Sequence, residues 1–161
     1  MADRQPARGK RGQARLFRVL NVPMRFVLGL PLPTPPSGRL MLLTLTGRRT
    51  GRTYRQPVSY VRMDANTLIT PGGGRWKRNL VEGQPVTIRL RGRDVVAYPE
   101  VTKTVPETEE LLTLMMAENP AVSRYTGIPR GADGHPDQAR VARAFDYGFR
   151  IVRWRLAPGE G

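Results

Sequence analysis

The sequence predicts a mainly β, or α+β, domain built on an antiparallel sheet or small barrel with peripheral helices. Strand-like segments follow one another closely, at residues 40–46, 54–62, 66–70, 86–91, 95–101 and 149–156. Short links favour antiparallel pairing, because parallel strands need a long crossover between them. The 161 residues suit a single domain over residues 14–157, between an arm at 1–13 and a tail at 158–161.

The strand segments are expected to sit differently in the sheet. Residues 40–46 form a short apolar run with a glycine on either side, which is typical of a buried strand. Pro57 lacks the N–H that a sheet ladder needs, so its strand is expected at an edge or a bulge. Apolar and polar side chains alternate over residues 86–91, which predicts a half-buried strand that returns through a turn as a hairpin.

Helices are predicted between and after the strands. A short helical turn is expected over residues 76–82, and a longer helix begins near Pro106 and runs towards Asn119. A further helix covers residues 138–146. Met115 and Met116 are either core filler or one wall of an adaptable apolar pocket, and the core is the favoured interpretation.

The first 36 residues differ from the rest in composition. Residues 1–13 are basic and poor in apolar groups, which predicts a flexible arm. Residues 14–30 mix apolar side chains with arginines, which favours a helix capping the barrel and leaves a peripheral membrane contact as the alternative. A proline-rich linker follows over residues 31–36. Because charged, polar and proline residues interrupt the apolar stretch 16–32, no membrane span is predicted, and we expect a cytoplasmic protein, with membrane association as a second option.

The net charge of +14 is concentrated in the first part of the chain. Residues 1–93 hold 19 Lys or Arg against 3 acids, whereas residues 94–161 hold 8 against 10. Such asymmetry favours an anionic partner: a phosphorylated small molecule, a nucleic acid or an anionic membrane. The chain has no cysteine, and His135 is its one histidine. Thiolate chemistry is therefore excluded, and neither a metal site nor a serine triad is expected.

The segment Gly47-Arg48-Arg49-Thr50-Gly51-Arg52 directly follows the first predicted strand. Glycines allow tight turning and close approach of a ligand to the backbone. The arginines and the threonine hydroxyl are donors suited to phosphate or carboxylate. From composition alone, an anion-binding loop and a solvent-exposed basic turn are equally good interpretations of this segment.

A second candidate is the run of glycines at residues 72–74, which leads into a basic segment. Such a run can admit a flat ring or a phosphate against backbone N–H groups. Trp76 and Asn79 stand three residues apart and share a face of the short helix, and Arg75, Lys77 and Arg78 add positive charge. For Trp76 alone, a place in the core is the favoured interpretation.

Together these features resemble one family. The pattern comprises Leu43-Thr44-x-Thr46-Gly47-Arg48-Arg49-Thr50-Gly51, then Pro57-Val58, a glycine pair and Trp76-x-x-Asn79-Leu80. It is similar to the deazaflavin-dependent nitroreductases and quinone reductases, most clearly over residues 38–102. The resemblance implies a split β-barrel of the flavin-reductase and pyridoxamine-phosphate-oxidase type. It also implies an oxidoreductase that transfers hydride from the reduced deazaflavin coenzyme F420 to a quinone, nitro or other conjugated small-molecule acceptor.

The resemblance further implies a set of cofactor-binding residues. The basic loop would grip the phosphate and acidic tail, the second strand would lie along the deazaflavin ring, and the glycine-rich segment would close around the ribityl chain and phosphate. In that order they are Arg48, Arg49, Thr50, Gly51 and Arg52; Pro57, Val58 and Ser59; and Gly72, Gly73, Trp76, Arg78 and Asn79. Pro71 stands where family members often carry a lysine, so FMN is kept as the alternative cofactor.

Hydride transfer needs no protein nucleophile, because the cofactor supplies the electrons. A proton donor is still needed, and Tyr125 is the candidate, with a partly buried structural aromatic as the favoured alternative. Two rival functions stay open: a basic barrel module that binds nucleic acid, and a lipid-binding relative without redox activity. Few aromatic residues fall in the basic part of the chain, which argues against nucleic acid. A homodimer is an open option.

Overall fold

The computed structural model describes residues 39–72 and 74–160, which contain seven strands in one sheet. The strands are β1 (Leu40–Thr46), β2 (Thr53–Ser59), β3 (Val61–Asp64), β4 (Thr67–Gly72), β5 (Val86–Leu90), β6 (Arg93–Val101) and β7 (Arg150–Leu156). Their order across the sheet is β2-β1-β5-β6-β7-β4-β3, and every neighbouring pair is antiparallel. The predicted antiparallel class is confirmed.

The two outermost strands of the sheet are neighbours in the chain, because Tyr60 alone separates β2 from β3. The Tyr60 N–H donates to the Arg39 carbonyl at 3.0 Å beside β1, and the next residue, Val61, already pairs with Ile69 of β4. Strands lie about 4.8 Å apart, so one residue could not join the edges of a flat seven-stranded sheet. The sheet therefore curls into the predicted split barrel, and the single strand predicted over residues 54–62 is two strands.

One apolar core fills the inside of the curled sheet. Side chains on alternate strand positions point inward, as the pleat of a strand requires, and those of the core cluster are at most 9% exposed. The cluster comprises Met41, Leu43, Leu45, Val58, Tyr60, Leu68, Trp76, Ile88, Leu90, Val95, Ala97, Val152, Trp154 and Leu156. Because side chains occupy the interior, as in other small barrels, a ligand is left with the rim and the outer face.

A second core lies where helices cover the outer face of β3, β4 and β7. The helices are α1 (Val105–Glu118), α2 (Val122–Thr126) and α3 (Gln138–Asp146). The Thr104 hydroxyl caps α1 by accepting from the Glu107 N–H at 3.3 Å, and Pro106 lies in the first turn as predicted. Met115 and Met116 are fully buried in this core, which confirms the core interpretation over a pocket wall.

The remaining comparisons with the predicted elements concern two strand prolines and two short helices. Pro57 lies on β2, the outermost strand, as its missing N–H predicted. The third strand extends through Pro71, which is tolerated because β4 pairs only with β7 beyond Ile69. The helical turn predicted over residues 76–82 is a shorter 3-10 helix, Arg75–Asn79. The five-residue α2 was not predicted, since a segment that short carries no helical period.

Several predictions concern segments outside the described residues. They include the basic arm over residues 1–13, the amphipathic stretch over residues 14–30 and Gly73. These, and the domain limits, stay predictions. Within residues 39–72 and 74–160, no helix is long and apolar enough to cross a membrane.

Candidate cofactor site

The basic loop, residues 47–52, closes the hairpin between β1 and β2. The Gly47 N–H donates to the Arg52 carbonyl at 2.9 Å, and the Gly51 N–H donates to the Gly47 carbonyl at 2.8 Å. Gly51 has a φ of 64°, a left-handed conformation that side chains disfavour. The Thr50 hydroxyl accepts from the Arg52 N–H at 3.3 Å. The motif thus forms a tight turn whose backbone is held by its own hydrogen bonds.

Guanidinium groups of this loop face solvent without acidic partners. Arg48, Arg49 and Arg52 are exposed, and none forms an ion pair with an acid in the part of the chain that the structure describes. Arg48 donates one Nη1 hydrogen bond to the Arg78 carbonyl at 3.2 Å. A guanidinium carries five donors, so most of them stay available. Unneutralised, planar donors of this kind suit phosphate and carboxylate.

Asn79 joins the basic loop to the 3-10 helix. Its Oδ1 accepts from the Arg48 N–H at 3.0 Å, and its Nδ2 donates to the Tyr54 hydroxyl at 2.5 Å. The two sequence motifs, 31 residues apart at this contact, therefore meet in the fold. Asn79 acts as a strut between them, and its predicted contact with a cofactor stays a prediction.

The chain at Gly72 and Gly74 is packed too closely for larger residues. A Cβ at Gly72 would lie 2.8 Å from the Arg150 carbonyl oxygen, and a Cβ at Gly74 would lie 2.6 Å from Cδ1 of Trp76. The glycines are therefore required by close approach of a backbone and a ring. This packing brings the segment against both β7 and the 3-10 helix.

Lys77 is a residue of this region that sequence reasoning missed as a site residue. Its Nζ donates to the carbonyls of Gly72 at 2.6 Å and Gly74 at 3.0 Å. The side chain is partly buried, and this burial, with repulsion from Arg150 and Arg78, lowers the pKa of the Lys77 ammonium. The only signal in the sequence was its place in the basic run 75–78, which cannot show which way a side chain points.

Trp76 packs into the barrel. Its ring stacks on that of Trp154, with centroids 6.3 Å apart and planes 16° from parallel, and Trp154 Nε1 donates to the Thr70 hydroxyl at 3.0 Å. Trp76 is only 9% exposed. The favoured core interpretation is confirmed, while any contact of Trp76 with a ligand stays a prediction.

The predicted ring strand, β2, divides its residues between two faces. Val58 is buried in the barrel core, so it can offer a ligand on the outer face only its backbone. Pro57 and Ser59 lie on the opposite face by strand alternation and are partly exposed. The outer face of β2 is thus where a flat ring could lie, and the ring contacts stay predictions.

Tyr125, on α2, reaches this same face. Its hydroxyl is hydrogen-bonded to the side chain of Ser59, and burial raises the pKa of the phenol, opposed by that bond and by the charge of Arg39. The phenol therefore keeps its proton at neutral pH, as a proton donor must. The structure brings the predicted donor beside the predicted ring strand, and its catalytic role stays a prediction.

Comparison with known families bears on which anion this site takes. The sequence profile of the F420H(2)-dependent quinone reductases matches residues 13–131. The chain belongs to this family. It is accordingly an F420-dependent reductase with coenzyme F420 as its cofactor, and FMN is only an alternative. The match gives no support to the nucleic-acid and lipid-binding alternatives.

The solved structures that match this chain share little sequence with it. A chain described as a domain-swapped dimer is 14% identical with a TM-score of 0.49, over 89% of this chain and 99% of that chain. An F420-H2 dependent reductase (FDR-A) is 14% identical with a TM-score of 0.48, over 73% and 94%. A Listeria innocua protein assigned as a pyridoxamine 5′-phosphate oxidase is 10% identical with a TM-score of 0.47, over 85% and 93%. At this level of similarity, neither the ligands nor the assembly states of these structures can be assigned to this chain. No curated protein matches the sequence.

The donor set of the site fits the family's cofactor. An anionic tail requires cations without acidic partners, and the basic loop presents them where it is hydrogen-bonded to the 3-10 helix. A flat ring calls for an open, mixed surface, and the outer face of β2 with Tyr125 provides one. Within the described residues, no cluster of His, Asp and Glu is arranged to hold a metal ion.

Proposed function

We propose that this chain binds F420H2 across the basic loop and the outer face of β2, and reduces a quinone, nitro or other conjugated acceptor docked on the open face of the ring. The observation that carries the proposal is the Asn79 strut. Its hydrogen bonds to Arg48 and Tyr54 join the basic loop to the 3-10 helix that follows the glycine-rich segment, which supports one site built from both motifs.

The tail of the cofactor is held by the loop. Arg48, Arg49 and Arg52 bind the phosphate and the carboxylates, since guanidinium forks match both groups bidentately. Gly51 keeps the turn tight, and the Thr50 hydroxyl supports it from within. Arg78 adds charge from the 3-10 helix, while Gly72, Gly73 and Trp76 border the ribityl chain.

The ring end is held by β2 and α2. Bound F420H2 supplies the hydride that reduces the acceptor. Pro57 and Ser59 support the ring, with Val58 contributing its backbone. Tyr125 donates the proton that the acceptor takes up with the hydride, and the hydrogen bond to Ser59 orients its hydroxyl.

A fluorescence titration with F420, repeated with FMN, tests the proposal. The variant Arg48→Ala/Arg49→Ala should raise the Kd for F420 at least about tenfold, because charge-assisted hydrogen bonds to the phosphate are lost. The matched control is Arg140→Ala/Arg143→Ala on exposed positions of α3. It removes the same charge outside the basic loop and should leave the Kd within about twofold, since salt screens exposed charges that do not contact the ligand.

Three results would overturn the proposal. They are no binding of F420 by the wild-type chain, tighter binding of FMN than of F420, and equal loss of affinity in the two arginine pairs. Tight and steeply salt-dependent binding of a duplex oligonucleotide, without F420 binding, would favour the nucleic-acid alternative instead.

Two coarser proposals accompany the main one. We propose a homodimer as one assembly state, which sedimentation at several concentrations would show or exclude. Peripheral membrane contact through residues 14–30 is proposed from the basic, apolar sequence alone. Co-sedimentation with anionic and neutral vesicles, compared between the full chain and one lacking those residues, tests it.

A further inference from the structure

Lys77 differs from the other basic residues of the site because its ammonium is directed into the protein. It donates to the carbonyls of Gly72 and Gly74, at the junction of β4 with the 3-10 helix. Two of the three ammonium donors are therefore spent on holding the backbone. The alkyl chain packs there too, since a Cβ at Gly72 would lie 3.3 Å from Cδ of Lys77.

This placement is electrostatically unfavourable. Burial and the charges of Arg150 and Arg78 act on the ammonium, and none of the three cations has an acidic ion-pair partner among the described residues. A partly buried cation among like charges destabilises the folded state. An uncharged side chain of similar length would fill the same space at less cost, so packing alone does not explain a lysine here.

Neighbouring cations cannot replace the two backbone contacts. Arg150 is anchored elsewhere, because its Nη1 donates to the carbonyls of Phe145 at 2.6 Å and Phe149 at 2.7 Å and its guanidinium lies 3.4 Å from the centre of the Phe145 ring. Arg78 is exposed and offers its own carbonyl to Arg48. Of these three cations, only Lys77 is seen to donate to the carbonyls of Gly72 and Gly74.

We propose that Lys77 is a positioning residue for the F420 site. By binding both carbonyls it holds the end of β4 at Gly72 and the start of the 3-10 helix at Gly74 together, so that both receive the cofactor without first having to be ordered. A pre-organised junction raises affinity because ordering a segment on binding costs free energy. The inference rests on the proposed function for its ligand, but the ordering of the junction can be measured without it.

The absence of cysteine from the chain allows a direct test. Lys77→Cys introduces a single thiol, which bromoethylamine converts into a lysine analogue with its ammonium and 1-iodopropane converts into an S-propyl thioether of the same length, with no charge and no hydrogen-bond donor. Both reactions are run on unfolded protein that is then refolded, with intact mass as the check and wild-type protein carried through the same steps. Lys103→Cys, treated identically, is the matched control, because the Lys103 side chain is 70% exposed and pairs with Glu82.

Two readouts are taken on each form: the Kd for F420, and amide hydrogen exchange over residues 70–76 in protein without cofactor. The S-propyl form at position 77 should raise the Kd about tenfold, the factor that one lost net interaction of ordinary strength gives. It should also speed exchange in the junction, while the ammonium form restores both. At saturating F420H2 the kcat should stay within about twofold, because a positioning effect falls on binding.

The inference is overturned if the ammonium and S-propyl forms of Lys77→Cys bind F420 equally, or if exchange over residues 70–76 is the same in both. It is also overturned if the forms of Lys103→Cys show the same pattern, since the effect would then be one of net charge. A wild-type chain that does not bind F420 refutes the proposed function instead, and the exchange comparison still decides whether Lys77 holds the junction.

Discussion

Asn79→Ala removes the strut between the basic loop and the 3-10 helix. The side chain makes two hydrogen bonds, to the Arg48 N–H at 3.0 Å and to the Tyr54 hydroxyl at 2.5 Å. Each is expected to contribute about 0.5–1.5 kcal/mol net, so the variant should lose about 2 kcal/mol of unfolding free energy. For a domain of this size that lowers the Tm by about 4–8 °C. The Kd for F420 should rise about tenfold, because the freed loop must be ordered on binding.

Tyr54→Phe separates the two bonds of the strut. It removes the contact at the hydroxyl and leaves Arg48 attached, so stability should fall by about 1 kcal/mol while the Kd stays within about twofold. Asn66→Ala is the control, at an exposed turn position whose side chain makes no hydrogen bond within the described residues. Thermal unfolding and fluorescence titration measure both quantities. An Asn79→Ala protein that loses stability but binds F420 as tightly as wild type would refute the strut as a support for the loop.

Three further predictions concern the loop, the surface and the proton donor. Gly51 and Gly83 both have a left-handed backbone, with φ of 64° and 79°, and an added Cβ would meet no atom at either position. Because side chains disfavour this conformation, Gly51→Ala and Gly83→Ala should each lower the free energy of unfolding by about 1–2 kcal/mol. Only Gly51→Ala should also raise the Kd for F420. Hydrogen bonds and charge from Arg155, and then from Arg153, lower the pKa of Glu100 in the folded protein. The ionised Glu100 therefore stabilises the fold above the ordinary carboxyl pKa, and this stabilisation is lost as the pH falls through the lowered pKa of the folded state. Glu100→Gln should therefore unfold more easily than wild type at pH 7, by up to about 1 kcal/mol, and equally easily in acid denaturation. Tyr125→Phe should lower kcat for quinone reduction about tenfold to a hundredfold with an unchanged Kd for F420; an unchanged kcat would remove its role.

Much of the sheet could be predicted because its strands carry local signals. The apolar run of β1 and the alternation in β5 each reflect burial of that segment alone, and both strands lie where they were predicted. The division at Tyr60 could not be predicted, since the flanking residues read as one continuous strand. It arises because β3 pairs with β4 instead of continuing beside β1, and sequence patterns do not record which partner a strand has.

The candidate site shows the same limit. The pattern of residues 47–52 and the pair Trp76 and Asn79 pointed to one region, and the fold joins them through Asn79. Direction was the missing information: the sequence does not show that Val58 faces the barrel core. Nor does it show that Lys77 turns back onto the carbonyls behind it while Arg78 faces solvent. A run of basic residues in the sequence does not show which of them contacts a ligand and which contacts the backbone.

Like most basic residues that the structure describes, those of the basic loop have no acidic ion-pair partner. Among the described residues, ion pairs join Glu82 to Lys103, Asp94 to Arg89, and Glu100 to Arg153 and Arg155. Each of these pairs involves strand or loop positions outside the basic loop, so their charges are largely cancelled where they lie. The loop is instead held by backbone bonds and by a neutral amide, which leave its guanidinium charges intact. A site held together by acidic partners would have spent on its own folding the charge that binding an anion requires.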